Sequence, residues 1–432
     1  MTAGATVQSA ALFRITPESA LVDEPFTVEV SGVRPGAGVT VSAGFLDDSA
    51  HEWSSSATFT ADANGVVATA RDASLSGTYT GISPMGLIWS MRSAPDAANP
   101  MLFRTRLDPL DIQIDASVGG EIVARGVARR LSVAPDVTRV DVREHGLVGT
   151  FFEPAGAGPH PAVIVLGGSG GGLSEAIPAL LASHGIAGLA LAYFGVPGVP
   201  DELANVPLEY FETAFGWLRE RPSVKRGALG VAGSSRGGEL ALLLGATFPF
   251  IRAVVAWAPS AVVYGSVRRE GRGGDPAWTY RGEAVPWFQP SQRPAPTPAG
   301  PPPEGGIPLT PMFLKGLEDT AAVDRARVPV ERINGPVLMV SGRDDQMWPS
   351  SVYGEMVMER LARHAHPYRD THLVYEGCGH LVNFPYVPTT VLASVHPVTK
   401  HLFAYGGTPE GQARAREDSW PKVVAFFRDD LR

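Results

Sequence analysis

The sequence predicts two architectures in tandem, all-β and then α/β: an antiparallel β-sandwich over residues 1–140 and a doubly wound α/β domain over 141–432. Three observations carry this reading. The chain has 432 residues, more than one ordinary domain. Its first part alternates apolar and polar side chains with period two. Its second part strings near-continuous apolar runs between helix-patterned stretches.

In the first part, Phe26–Val30, Val39–Ser42, Thr58–Thr60, Asp111–Ile114 and Glu121–Val127 alternate, as half-buried strands do. Turn signals such as Arg34-Pro35-Gly36 and Asp62-Ala63-Asn64-Gly65 lie between them. Short strands at this spacing make an immunoglobulin-like sandwich. No nucleophile–base arrangement or metal-ligand spacing falls there, so this part is expected to serve structure or to shape a substrate.

In the second part, Ala162–Leu166, Ala187–Tyr193, Ala228–Ala232, Ala253–Ala258, Pro336–Val340 and Leu373–Tyr375 read as strands buried on both faces of a parallel sheet. Glu175–Ser183, Leu208–Arg219, Gly237–Ala246, Val352–Ala365 and Trp420–Leu431 carry helical spacing. Arg268 to Gly306 interrupts the pattern, with RREGRGG followed by PSQRPAPTPAGPPPEGG. Proline at this density opposes helix and sheet, so the stretch is expected to be a lid or a solvated insertion.

Composition narrows the function. Hydrophobic residues are 44% and charged residues 19% of the chain, and mean hydropathy is +0.03. That balance builds large cores and excludes disorder. The formal charge of -8 repels nucleic acid. One cysteine, Cys378, excludes an intrachain disulfide and a multi-cysteine metal site. The first twenty residues lack a basic segment followed by an apolar core, so no secretory leader is expected. The apolar stretches around Ile186–Phe194 and Leu240–Ala261 are too short, or too broken by Pro249 and Arg252, to span a bilayer. A cytoplasmic enzyme without membrane or nucleic-acid partners is expected; oligomeric state is unreadable.

The strongest local motif is Gly233-Ser234-Ser235-Arg236-Gly237. It follows a predicted strand and opens a predicted helix, the setting of a nucleophile elbow, with Ser235 as nucleophile. A serine needs a base, and the base needs a carboxylate to fix its tautomer. In chain order the acid comes next. Asp345 fits, just past the strand ending at Val340, with Asp344 as the alternative. Beyond the strand Leu373–Tyr375, the glycine-flanked His380 fits the base. Cys378 reads as a small buried thiol.

Two donors should meet the oxyanion: the backbone N–H of Arg236, and that of Ser169 or Gly170 in the Gly167–Gly172 run. This run is no phosphate loop, because no Gly-Lys-Ser/Thr follows. Arg268, Arg269 and Arg272 are candidate contacts to a phosphorylated substrate. The chemistry requires no metal and no organic cofactor.

With these residues placed, the chain resembles the acyl-CoA thioesterase and bile acid-CoA:amino acid N-acyltransferase family along nearly its whole length. The resemblance rests on Leu21–Pro25, Gly77–Gly81, Pro84–Ser90, Gly170–Leu173, Leu189–Tyr193, Leu208–Glu212, Gly233–Leu240, Asp344–Trp348 and Gly379-His380. It implies a β-sandwich joined to an α/β-hydrolase domain, and a triad at Ser235, Asp345 and His380. The implied substrate is an acyl-CoA or acyl-carrier thioester, hydrolysed through an acyl-Ser235 intermediate. Transfer of the acyl group to an amine or alcohol, or cleavage of an ester or lactone, are the alternatives. The family's N-acyltransferases carry cysteine where this chain has Ser235, which leans the expectation toward water as acceptor. The proline-rich Arg268–Gly306 stretch is no family hallmark.

Overall fold

The computed structural model describes residues 12–47, 50–93, 102–103, 106–269, 274–291 and 305–431. These gather into two compact units. No helix of the described residues is long and apolar enough to cross a membrane.

The first unit comprises the described residues of Met1–Ala98 and Phe103–Ser132, with Tyr386–Val391. Alternation builds it. Gly38–Leu46 and Glu52–Thr60 pair antiparallel, and their registers Val39↔Phe59, Val41↔Ala57 and Phe45↔Trp53 match buried residue to buried residue. Leu110–Val118 and Glu121–Leu131 extend this sheet, while Leu12–Thr16, Thr27–Ser31 and Val66–Ala68 form a separate three-stranded sheet. Ser19–Leu21 departs from the antiparallel pattern by running parallel to Glu121–Leu131. The sequence did not announce Tyr386–Val391 as part of this unit. Its backbone ties come from the Thr389 N–H to Trp89 O at 3.0 Å and the Thr390 hydroxyl to Met91 O at 2.6 Å.

The second unit comprises the described residues of Asn99–Leu102, Val133–Pro385 and Leu392–Arg432. The division thus falls after Ser132 and not at residue 140. The reason is that Thr138–Val142 hydrogen-bonds into the second unit's sheet.

That sheet has eight strands, numbered within the unit: β1 (Thr138–Val142), β2 (Val148–Glu153), β3 (His160–Leu166), β4 (Ala187–Ala192), β5 (Val224–Ser234), β6 (Ala253–Trp257), β7 (Val337–Gly342) and β8 (Thr371–Tyr375). Their order is β1-β2-β4-β3-β5-β6-β7-β8. From β4 to β8 neighbours run parallel, whereas β2 is antiparallel to both β1 and β4. β1 is exposed along most of its length, so its sequence carries no apolar run.

Helices α1 (Ala176–Ser183), α2 (Glu209–Arg219), α3 (Arg236–Thr247), α4 (Ser350–Arg363) and α5 (Pro409–Asp430) fill the crossovers and the end of the chain. The Leu- and Ala-rich α3 is buried from Arg236 to Gly245 and packs on β5 and β6. Two expectations need correction. The last helix begins at Pro409 and not at Trp420: Thr408 caps it through the Gly411 N–H at 3.0 Å, and its polar first half hid the period. The expected irregular Arg268–Gly306 stretch also contains strand. Trp278–Tyr280 runs parallel to Val206–Pro207 and antiparallel to Glu283–Ala284. These residues precede the proline-dense segment, most of which lies outside the described residues.

Candidate active site

Parallel strands present their carboxyl ends at one edge, and three of the strands β5 to β8 bring the expected residues there. Ser235 follows β5, Asp345 follows β7 and His380 follows β8.

The turn at Ser235 is steric in origin. Its φ of 58° and ψ of -121° lie where a side chain is strained. A Cβ on Gly233 would stand 2.0 Å from Gly237 O, and one on Gly237 would stand 2.4 Å from Gly167 O. Only glycine two positions either side lets strand, turn and helix close together. The elbow is fixed by the Ser235 N–H to Trp257 O at 2.9 Å and by the Glu239 N–H to Ser235 O at 3.0 Å. The α3 N-terminus, with its uncompensated amides, begins at Arg236.

Asp345 and His380 meet. His380 Nδ1 lies 2.9 Å from Asp345 Oδ2, with both side chains at least 95% buried. Asp345 Oδ2 also accepts the Ser350 hydroxyl at 2.6 Å, and Oδ1 accepts the N–H groups of Met347 and Trp348 at 2.9 and 3.2 Å. Four donors therefore fix one carboxylate. Asp344 faces elsewhere: its Oδ2 accepts the Gly377 N–H at 2.7 Å. Ser350 was not singled out in the sequence, because nothing in its neighbourhood distinguishes a buried hydroxyl from a helix-start serine.

His380 is framed by aromatic rings. Tyr405 stacks on the imidazole at 6.3 Å with an 11° tilt, and Trp348 meets it edge-on at 5.9 Å. The His380 N–H donates to Tyr405 O at 2.9 Å. Cys378 is fully buried, and burial pushes its thiol up to about 12, so it stays protonated. This matches the packing role expected of it.

The glycine-rich loop after β3 lies against the elbow: a Cβ on Gly168 would stand 3.3 Å from Ser235 Cβ. The Tyr193 hydroxyl holds Gly167 O at 2.6 Å, and the Gly172 N–H donates to Phe194 O at 3.0 Å. The Gly171 N–H donates to Gly168 O at 3.3 Å, so the Gly171 and Gly172 amides are committed, while those of Ser169 and Gly170 remain candidate donors. Ser169 Oγ is 2.9 Å from His396 Nε2, a histidine the sequence reading did not distinguish from its other surface and packing histidines.

Arg236 has a second task. Its guanidinium reaches Glu239 Oε2 at 2.7 Å, Tyr264 O at 2.9 Å and Gly265 O at 3.1 Å. Glu239 Oε1 accepts the Trp278 indole at 3.0 Å, and Oε2 also accepts the Tyr264 N–H at 3.2 Å. Burial pushes the Glu239 carboxyl up, while Arg236, the indole and the amide pull it back.

The phosphate-binding expectation fares differently. The Arg268 guanidinium is already paired with Glu202 at 3.0 Å and Asp275 at 2.6 Å, and the Arg269 N–H donates to Glu202 Oε1 at 2.7 Å. A phosphate there would have to displace carboxylates. Arg272 lies outside the described residues.

Two family descriptions match the sequence. "Acyl-CoA thioester hydrolase/BAAT N-terminal region" matches residues 23–144. "BAAT / Acyl-CoA thioester hydrolase C terminal" matches residues 206–432. The chain is 34% identical over 420 residues to acyl-coenzyme A thioesterase 6 of Mus musculus, covering 95% of this chain and 94% of that protein. It is 32% identical over 421 residues to acyl-coenzyme A thioesterase 1 of Rattus norvegicus, with the same two coverages, 95% and 94%. Peroxisomal succinyl-coenzyme A thioesterase of Mus musculus is 30% identical over 424 residues, again covering 95% and 94%. Among solved structures, 2,6-dihydroxy-pseudo-oxynicotine hydrolase is similar at 19% identity and a TM-score of 0.34, over 57% of this chain and 63% of that one. Both halves are matched, and relatives at 30% identity or more run along 95% of the chain, so the protein belongs to the acyl-CoA thioester hydrolase/BAAT family.

Proposed function

We propose that the protein hydrolyses acyl-CoA thioesters through an acyl-Ser235 intermediate. The observation that carries this is the buried Asp345–His380 pair at 2.9 Å, on the same sheet edge as the strained Ser235 turn. Asp345 accepts Nδ1–H, which leaves Nε2 as the basic nitrogen. His380 Nε2 takes the Ser235 proton as Oγ bonds to the thioester carbonyl carbon. The resulting oxyanion is met by the Arg236 N–H and by the Ser169 or Gly170 N–H. Collapse breaks the carbon–sulfur bond, and the imidazolium gives its proton to the departing CoA thiolate. Water then repeats the sequence on the acyl ester, with His380 as base, and releases the free acid. An oxygen-ester intermediate favours water over an amine more than a thioester intermediate does, which supports hydrolysis over acyl transfer.

The test is thiol release across a series of acyl-CoA chain lengths, with and without amino acids or alcohols, following the acyl product by mass. Free acid should appear with the wild type, and Ser235→Ala should abolish it. Acceptor-dependent conjugates in place of free acid would identify a transferase. Equal rates on simple esters lacking CoA would identify an esterase.

A further inference from the structure

A second serine–histidine contact stands in the same unit. Ser169 Oγ and His396 Nε2 are 2.9 Å apart, the separation of a nucleophile and its base. Yet the proton is on the wrong side for that. His396 Nδ1 accepts the N–H groups of Val398 at 3.3 Å and Thr399 at 3.2 Å. A ring nitrogen that accepts N–H groups carries no proton, so the neutral imidazole holds its proton on Nε2. His396 therefore donates to Ser169 Oγ and cannot deprotonate it. Burial, with His401 and Lys400 adding to it, lowers this imidazole to about 4 and keeps the ring neutral near pH 7.

The element that carries His396 touches both halves of the site. Ala393–Val395 pairs antiparallel with Leu402–Ala404, and the His396 N–H closes the tip on His401 O at 2.8 Å. Beside the tip, Pro397 Cγ is 3.1 Å from where a Cβ on Gly170 would stand. At the root, Tyr405 stacks on His380, and its hydroxyl shares a hydrogen bond with Ser394 Oγ at 2.6 Å.

We propose that His396 is a positioning residue: acting through Ser169, it holds the 168–170 loop so that its backbone N–H groups face the oxyanion formed at Ser235. The proposal rests on the Ser235 chemistry above.

Two substitutions separate this role from structural support. His396→Asn keeps an acceptor for the turn amides but withdraws the donor from Ser169. His396→Gln does the reverse, because its amide nitrogen takes the place of Nε2. H396N should lower both kcat on acyl-CoA and the rate at which a fluorophosphonate labels Ser235, roughly ten- to hundredfold, with KM moving about twofold or less. H396Q should restore most of both rates. S169A leaves the hairpin whole and should match H396N, and the double variant should be no slower than either. H396N or S169A at wild-type rates, or H396Q as slow as H396N, overturns the proposal. Labelling passes through a phosphorus-bound oxyanion and needs no natural substrate. A wild type that is labelled but releases no thiol therefore overturns the substrate reading while the labelling comparison still decides this one. A wild type that is not labelled overturns the Ser235 assignment and this proposal with it.

Discussion

At the scale of single residues, the site turns on which of two adjacent carboxylates faces the imidazole. Asp345 is buried and held by four donors, whereas Asp344 braces the Gly377 amide. Asp345→Asn replaces an acceptor with a group that fits the wrong imidazole tautomer, and kcat should fall about 10³–10⁴-fold. Asp344→Asn should change kcat by less than about threefold, the difference between losing the tautomer-fixing acceptor and weakening one exposed turn bond. Steady-state thiol release on the two variants makes the comparison, and similar losses would mean that the roles are misassigned. Ser235, Asp345 and His380 were legible because strand–turn–helix context and chain order restrict them. Ser350 and His396 were not, since each is tied to the site only by folding: Ser350 to Asp345 and His396 to a loop 227 residues earlier.

At the scale of elements, the elbow helix α3 is anchored to the segment leading to Trp278 by buried charge. Glu239 is wholly buried and collects Arg236, the Trp278 indole and the Tyr264 N–H. Glu239→Ala would leave the Arg236 guanidinium buried without its counter-charge, at a cost of about 3–5 kcal/mol. Urea unfolding should report that loss; a change under about 1 kcal/mol would place the network among dispensable buried pairs. Strand and helix cores were readable where apolar runs are continuous, as in β3, β6 and β7. They were hidden where polar sequence adopts regular structure, as in exposed β1 and the first half of α5. Trp278–Tyr280 went unread because the prolines that follow in the sequence dominated the stretch, although its own residues pair with Val206–Pro207.

At the scale of the whole molecule, the half-buried His372 and the buried His396 tie stability to pH. Burial lowers His372 to about 4, and its Nε2 lies 2.7 Å from Ser341 Oγ; His396 is lowered likewise to about 4. An unfolded imidazole takes up a proton below about 6.5, while these folded ones resist until about 4. The unfolded chain thus binds more protons in that window, and stability falls as pH drops from about 6.5 toward 4. The urea midpoint should decline over this range more steeply in the wild type than in His372→Gln; parallel slopes would remove His372 from the effect. The broad division into sandwich and α/β sheet was legible from the change in periodicity, but the return of Tyr386–Val391 to the first unit carries no periodic signal. That return makes the order of the polypeptide differ from the order of its parts. A cut after Ser132 severs the first unit from a piece of itself and strands that piece between His380 and His396. Exchanging the sandwich for another therefore demands two simultaneous replacements, one ahead of Val133 and one at Tyr386–Val391.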